Sequence, residues 1–306
     1  MKLNVGVPHN TNIAAMTQEW EHRLGPAEIE RMARLADELG FHKICCCEHF
    51  GIPREHVELS GAHYLQPVTT LSYIASLAPR LQLSSSVTIL PLQHPIAQAK
   101  AWSVLDWLSG GRAHLMIGVG WLEAEYETMG VDFHRRGRLC DEYVAAMVEL
   151  WTKDYASFDG ETVRFEDLAM EPKPVQRPHV PLWFGGDAPA MLRRVARWGT
   201  GWAPRATSPR EFPAKLDYIR SQPDYHGRPI ELAANLVALT MTEDHAARQA
   251  EHSFDLTNAG QLVDQLGWLE GLGVTEVSTG IPQVADFEAY LDWLRWLAAE
   301  VMPKIA

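Results

Sequence analysis

Cysteine is scarce: four in 306 residues, with Cys45, Cys46 and Cys47 adjacent and Cys140 far away. Three consecutive cysteines have no metal-ligand spacing and cannot readily pair with one another. On a strand Cys45 and Cys47 would share one face and Cys46 the other, so packing as small hydrophobes is expected. Basic residues are also short, 27 Lys and Arg against 39 Asp and Glu, for a formal net charge of −12. That balance argues against a nucleic-acid partner or an anionic membrane surface, both of which reward basic patches. No uninterrupted apolar run reaches membrane length. Met1-Lys2 leads straight into Leu3-Asn4-Val5-Gly6-Val7 without a charged-then-apolar leader, so a cytoplasmic location is expected. Short repeats and low-complexity tracts are missing as well. So is a complete dinucleotide fingerprint: after Gly118 and Gly120, the third glycine of G-x-G-x-x-G is replaced by Glu123.

What is present is bulk and alternation. The chain is 46% hydrophobic and 22% charged, an ordinary globular balance with enough apolar material for a large core. Patterning predicts strands at residues 3–7, 42–47, 81–87, 113–117, 181–184, 201–203, 230–239 and 276–278. Helices are predicted at 26–39, 67–78, 97–108, 123–127, 141–151, 189–198, 209–221, 244–272 and 286–301. An Asp159-Gly160 turn marks a hairpin within an excursion from about 120 to 181. Eight strands separated by helices read as an α/β (β/α)8 TIM barrel with an insertion between strands 4 and 5, in one domain spanning residues 1–306. A doubly wound sheet is the alternative, weakened by the incomplete glycine fingerprint.

The chain is organised around residues 108–151. A helix stopped by Gly110-Gly111 leads into the short apolar strand Ala113-His114-Leu115-Met116-Ile117, which ends in Gly118-Val119-Gly120-Trp121. An acidic helix follows, then Gly130-Val131-Asp132-Phe133 and a helix led by Arg135, Arg136 and Arg138. In this order the motifs resemble the luciferase-like flavin and deazaflavin oxidoreductases, most strongly from residue 67 to 204. The run Gly118-Val119-Gly120-Trp121-Leu122-Glu123-Ala124-Glu125-Tyr126 is most similar to the branch dependent on coenzyme F-420.

In a barrel of this kind the active site lies at the C-terminal ends of the strands. Glu48-His49 at the end of strand two are the candidate catalytic residues, His49 as a general acid or base or as a hydrogen-bond donor to the cofactor ring, with Glu48 assisting; the alternative is a loop or capping role. The resemblance implies cofactor contacts from Ser85, Ser86 and Val87, with a cis peptide before Val87, and from Gly118, Gly120 and Trp121. Gly185, Gly186 and Asp187 open a helix and are read as a phosphate site or a tight turn, with Arg193, Arg194 and Arg205 as charge partners. His94 lines the same pocket or is a loop residue. No metal site is expected.

These features imply an oxidoreductase moving a hydride between coenzyme F-420 and a small organic substrate. Two alternatives stand beside it. One is an FMN-dependent monooxygenase supplied with reduced flavin by a partner reductase; the other is a flavin-binding protein without turnover. The apolar arc Phe287, Tyr290, Leu291, Leu294, Leu297, Ala298 and Val301, widened by Trp293 and Trp296, is expected to mark a subunit contact, and a homodimer is expected.

Overall fold

The computed structural model describes residues 1–13, 17–236, 239–241, 247–249 and 255–305. Eight strands form the barrel: Lys2–Gly6 (β1), Lys43–Cys46 (β2), Gln82–Ser85 (β3), Ala113–Gly118 (β4), Leu182–Gly185 (β5), Gly201–Ala203 (β6), Glu231–Asn235 (β7) and Glu276–Ser278 (β8). Each pairs with its neighbour in parallel, and β8 returns to β1 through Lys2↔Glu276, Leu3↔Val277 and Asn4↔Ser278. The result is a closed (β/α)8 TIM barrel, and closure leaves no strand edge to protect. One helix follows each strand in turn: Pro26–Leu39 (α1), Pro67–Leu77 (α2), Pro95–Ser109 (α3), Arg136–Thr152 (α4), Pro189–Trp198 (α5), Phe212–Arg220 (α6), Ala259–Gly271 (α7) and Phe287–Glu300 (α8).

Local chemistry sets the helix bounds. Helices α1, α2, α3 and α5 each begin at a proline, whose missing N–H costs nothing in the first turn. Side chains cap α7 and α8, through Asn258 to the Gln261 N–H and Asp286 to the Ala289 N–H. The excursion between β4 and β5 holds the helix Glu123–Thr128, α4, and the antiparallel pair Ala156–Asp159 and Arg164–Leu168.

Two expectations are corrected. Among the described residues, the helix expected over 244–272 covers Ala259–Gly271, where an Asp255–Thr257 turn and the Asn258 cap start it. Ala247–Gln249 is instead a strand, paired antiparallel with Leu239–Met241, while 244–246 and 250–254 lie outside the described residues. The apolar arc of α8 is not a free face either. Phe287, Tyr290, Leu291, Trp293, Leu294 and Leu297 are buried within the chain, and Trp20 packs on Phe287 and Tyr290. These residues and Val301, expected to mark a subunit contact, are core residues, while Trp296 and Ala298 are half-buried. Among the described residues no helix is long and apolar enough to cross a membrane.

The four cysteines are free thiols. Cys46 is fully buried outside the barrel wall, and Cys45 and Cys47 are partly exposed on the opposite face, as alternation requires. Burial pushes the Cys45 and Cys47 thiols up to about 12, so they stay protonated and unreactive at neutral pH.

Inside the barrel, Lys43 and Glu276 form an ion pair at 2.8 Å with both side chains 1% exposed. Asn4 donates to the second Glu276 oxygen. The Lys43 ammonium also lies 4.3 Å from the Trp183 ring centroid. Trp183 in turn covers Gly201, where an added Cβ would stand 2.3 Å from the indole. Removing one member of such a pair strands the other charge in a dry interior. Lys43→Met should therefore destabilise the fold by about 3–5 kcal/mol, with Lys43→Met/Glu276→Leu more stable than the single variant. Urea denaturation of both variants checks this.

Candidate active site

The site is assembled where β1 to β6 end. The loops after β1 and β2 are joined first. Thr11 bridges Tyr64 in antiparallel fashion, the Asn12 carboxamide accepts from the His63 N–H at 2.7 Å, and Asn10 accepts from the Cys47 N–H at 3.0 Å. Gly61 makes this approach possible: its φ is +68°, and a Cβ there would stand 2.2 Å from the Asn12 side chain. His9 stacks on His63 with centroids 4.1 Å apart, and His22 meets His9 edge-on at 5.6 Å. Burial, then the neighbouring His63, lower His9 from its ordinary value and so favour its neutral form.

His49 follows β2 and faces this seam. Its Nδ1 is 2.8 Å from the Glu125 carboxylate, and its ring meets Tyr64 edge-on at 4.6 Å and Trp121 at 6.0 Å. On its other side Trp121 meets His56 at 6.1 Å. The Tyr64 hydroxyl donates to the Ser60 carbonyl at 2.6 Å, and burial raises it to about 12. Glu125 and Tyr64 were not among the residues predicted from sequence. A signal for Glu125 was present, however. Leu122, Glu125 and Tyr126 have i, i+3, i+4 spacing, which puts Glu125 on the buried face of Glu123–Thr128 between exposed Glu123 and Glu127.

Glu48 points elsewhere. One carboxyl oxygen accepts from the Ile89 N–H at 2.9 Å and from Gln93 at 2.8 Å, and the other is buried with no hydrogen-bond partner among the described residues. The side chain therefore ties the end of β2 to the chain just beyond Val87. Burial, against the opposing Ile89 bond and reinforced by Glu125, raises it from 4.5 to about 7.

The peptide before Val87 is cis, as the resemblance implied. Beyond it Thr88–Ile89 pairs with the upper half of β4, after β3 has paired with the lower half. Gly118 and Gly185 are explained by Val87 itself. A Cβ on Gly118 would stand 2.4 Å from a Val87 methyl, and one on Gly185 2.7 Å from the other. Gly120, at φ +65°, packs against Ile89 and Tyr126 in the same way. Ser86 is exposed at this ledge, whereas the buried Ser85 hydroxyl is committed to the Met116 backbone at 2.9 Å. His94 is exposed at the N-cap of α3.

At the ends of β5 and β6, the Gly186 N–H donates to the Ala203 carbonyl at 3.0 Å and is not directed at a ligand. The Asp187 carboxylate accepts from the Arg205, Ala206 and Thr207 N–H groups and from the Thr207 hydroxyl, which fixes the loop after β6. Of the three arginines, Arg194 is committed to Asp141 at 2.7 Å and Arg193 reaches the Tyr218 hydroxyl. Arg205 is exposed, with Asp187 and Tyr64 as charged or titratable neighbours. Among the described residues no group of three or more His, Cys, Asp and Glu is arranged to hold a metal ion.

The family described as luciferase-like monooxygenase matches residues 3–276. The chain belongs to that family. An uncharacterized family relative from Mycobacterium tuberculosis is 32% identical over 281 residues, covering 86% of this chain and 90% of its own. The FMNH(2)-dependent dimethylsulfone monooxygenase of Pseudomonas putida is 27% identical over 229 residues, covering 71% of this chain and 59% of its own. With the same fold, the coenzyme F-420-dependent tetrahydromethanopterin reductase of Methanopyrus kandleri superposes with a TM-score of 0.73 at 17% identity, over 100% of this chain and 99% of its own. The protein is thus a luciferase-like oxidoreductase or monooxygenase.

Glu48 gives this site a measurable pH signature. Its carboxyl is raised in the folded state, so its favourable contribution is complete below about 4.5 and is lost as pH rises through about 7. The loss is of order 3 kcal/mol. Relative to Glu48→Gln, the wild type should therefore lose stability between pH 5 and pH 8, as read by denaturant midpoints at each pH.

Proposed function

We propose that the protein transfers a hydride between coenzyme F-420 and a small organic substrate at the mouth formed by β1 to β6. The observation that carries this reading is His49, held at the mouth by a buried carboxylate and two aromatic rings. The residues fit a flat, phosphorylated cofactor. Val87, with Gly118 and Gly185 leaving it room, offers an apolar ledge for a ring, and Trp121 stands at the rim. The N-terminus of α5 and Arg205 supply positive potential for a phosphate, an assignment that moves the phosphate away from the committed Gly186 N–H. When bound, the deazaflavin supplies the hydride-carrying carbon.

The chain supplies position and a proton. His49 gives or takes the proton that balances hydride transfer at a substrate oxygen or nitrogen. Tyr64 and Trp121 exclude water around that ring, and Glu48 keeps the chain after Val87 in place. A homodimer is part of the proposal, supported by exposed Trp107 and Leu108 on α3. The dimethylsulfone relative favours a second reading, an FMN-dependent monooxygenase that needs a flavin reductase as partner.

Matched fluorescence titrations separate the two. Coenzyme F-420 should bind at micromolar or tighter affinity and FMN at least about tenfold more weakly, a gap of about 1.4 kcal/mol. Tighter FMN binding, with oxygen-dependent turnover of reduced FMN, gives the monooxygenase. Once a substrate is in hand, His49→Ala should lower turnover by about 10²–10⁴-fold while coenzyme affinity changes far less.

A further inference from the structure

We infer that Glu125 is the positioning residue for His49: it holds the ring as the tautomer protonated at Nδ1, which makes Nε2 the nitrogen that exchanges a proton at the mouth. This deepens the functional reading above and rests on it for its catalytic consequence, but the tautomer itself does not.

The argument begins with where the two residues come from. His49 follows β2 and Glu125 follows β4, 76 positions later, so only the closed barrel brings them together. Glu125 is 2% exposed. One of its oxygens accepts from the Phe50 N–H at 2.6 Å and from the Gly51 N–H at 3.4 Å, and the other meets His49 Nδ1 at 2.8 Å. With one Glu125 oxygen taken up by the two backbone N–H groups, the other faces Nδ1 as an acceptor, since a carboxylate oxygen only accepts. The hydrogen in the 2.8 Å contact therefore belongs to Nδ1. A neutral imidazole with its proton on Nδ1 presents a lone pair at Nε2.

The same carboxylate also sets the direction of that lone pair. By binding Phe50 and Gly51 it fixes the peptides immediately after His49, and by binding Nδ1 it fixes the ring. Tyr64 and Trp121 then oppose rotation from the sides, at 66° and 77° to the imidazole plane. Tyr64 is itself held by Ser60 and by the Thr11 bridge. Glu48, adjacent in sequence, does not share this duty, because its carboxyl is turned to Ile89 and Gln93. A histidine fixed in this way begins each proton transfer with the correct nitrogen presented, and a carboxylate behind it stabilises the imidazolium that forms.

The test is long-range ¹H–¹⁵N NMR on the full chain with labelled histidine, with His49 assigned among the thirteen histidines by its loss in His49→Gln. In neutral His49 the Nδ1 resonance should be of the protonated type and Nε2 of the unprotonated type. In Glu125→Gln the two resonances should move toward the averaged values of a free imidazole. Neutral wild-type His49 protonated at Nε2, or an unchanged tautomer in a folded Glu125→Gln, overturns the inference. Should Glu125→Gln not fold, the wild-type spectrum and Glu125→Asp decide in the same way. In the turnover assay Glu125→Gln should lower kcat at least about tenfold with coenzyme Kd within about threefold, and Glu125→Asp should restore part of it. A kcat that stays at the wild-type level in Glu125→Gln also overturns the positioning role. A His49→Ala variant with full turnover, beside an intact Nδ1–H tautomer, would instead fail the functional reading and leave the geometry standing.

Discussion

The Lys43–Glu276 pair is the constraint on which the barrel depends. It joins β2 to β8 across the interior of the closed sheet, and Trp183 of β5 lies against the same ammonium. A charge buried this deeply is tolerable only with its partner in place and hydrogen-bonded, so these strands must be present together. The contact is expensive to assemble and gives nothing when half made. Its value is in register: a one-residue slip of β2 would turn Lys43 into the apolar layer under the helices.

What the interior fixes, the mouth uses. With strand ends held at set heights, three carboxylates each bind a neighbouring loop. Glu48 reaches from β2 to the chain after Val87, Glu125 from beyond β4 to the loop after β2, and Asp187 from β5 to the loop after β6. All three take backbone N–H groups, which leaves the loops ordered without a hydrophobic core of their own. The site is therefore bound by cross-loop ties in which several strand ends each hold a neighbour. Only His49, among the residues predicted to do chemistry, has its side chain turned toward the shared space by such a tie.

Much of the architecture was legible in sequence because periodicity and punctuation agreed. The helices Pro26–Leu39 and Pro189–Trp198 were readable to the residue, since a proline opens each and the apolar stripe runs their whole length. The glycines at 118, 185 and 186 were visible, but their reason was not. Sequence suggests a ligand where the structure shows Val87 and a strand hydrogen bond, because the close neighbour of a glycine is not written beside it. Glu48 and Glu125 show the same limit in reverse. One was singled out by adjacency to His49 and turns away from it, while the other sits 76 positions off and completes it. Pairings of this sort are properties of barrel closure, and local patterns carry no record of them. The start of the helix at Ala259 was missed for another reason: Asp255 and Asn258 bind the N–H groups of Thr257 and Gln261, and this capping signal was not read from the sequence.

Val87 and its two glycines have a consequence for how this site can change. Positions 87, 118 and 185 lie on three different segments yet share one volume, so neither glycine can grow while Val87 keeps its size. Enlarging either glycine alone collides with the valine. Shrinking position 87 removes that obstacle and opens space directly at the ledge. A lineage or a library seeking a bulkier ligand would pass through that residue first, and would gain room there without moving a strand.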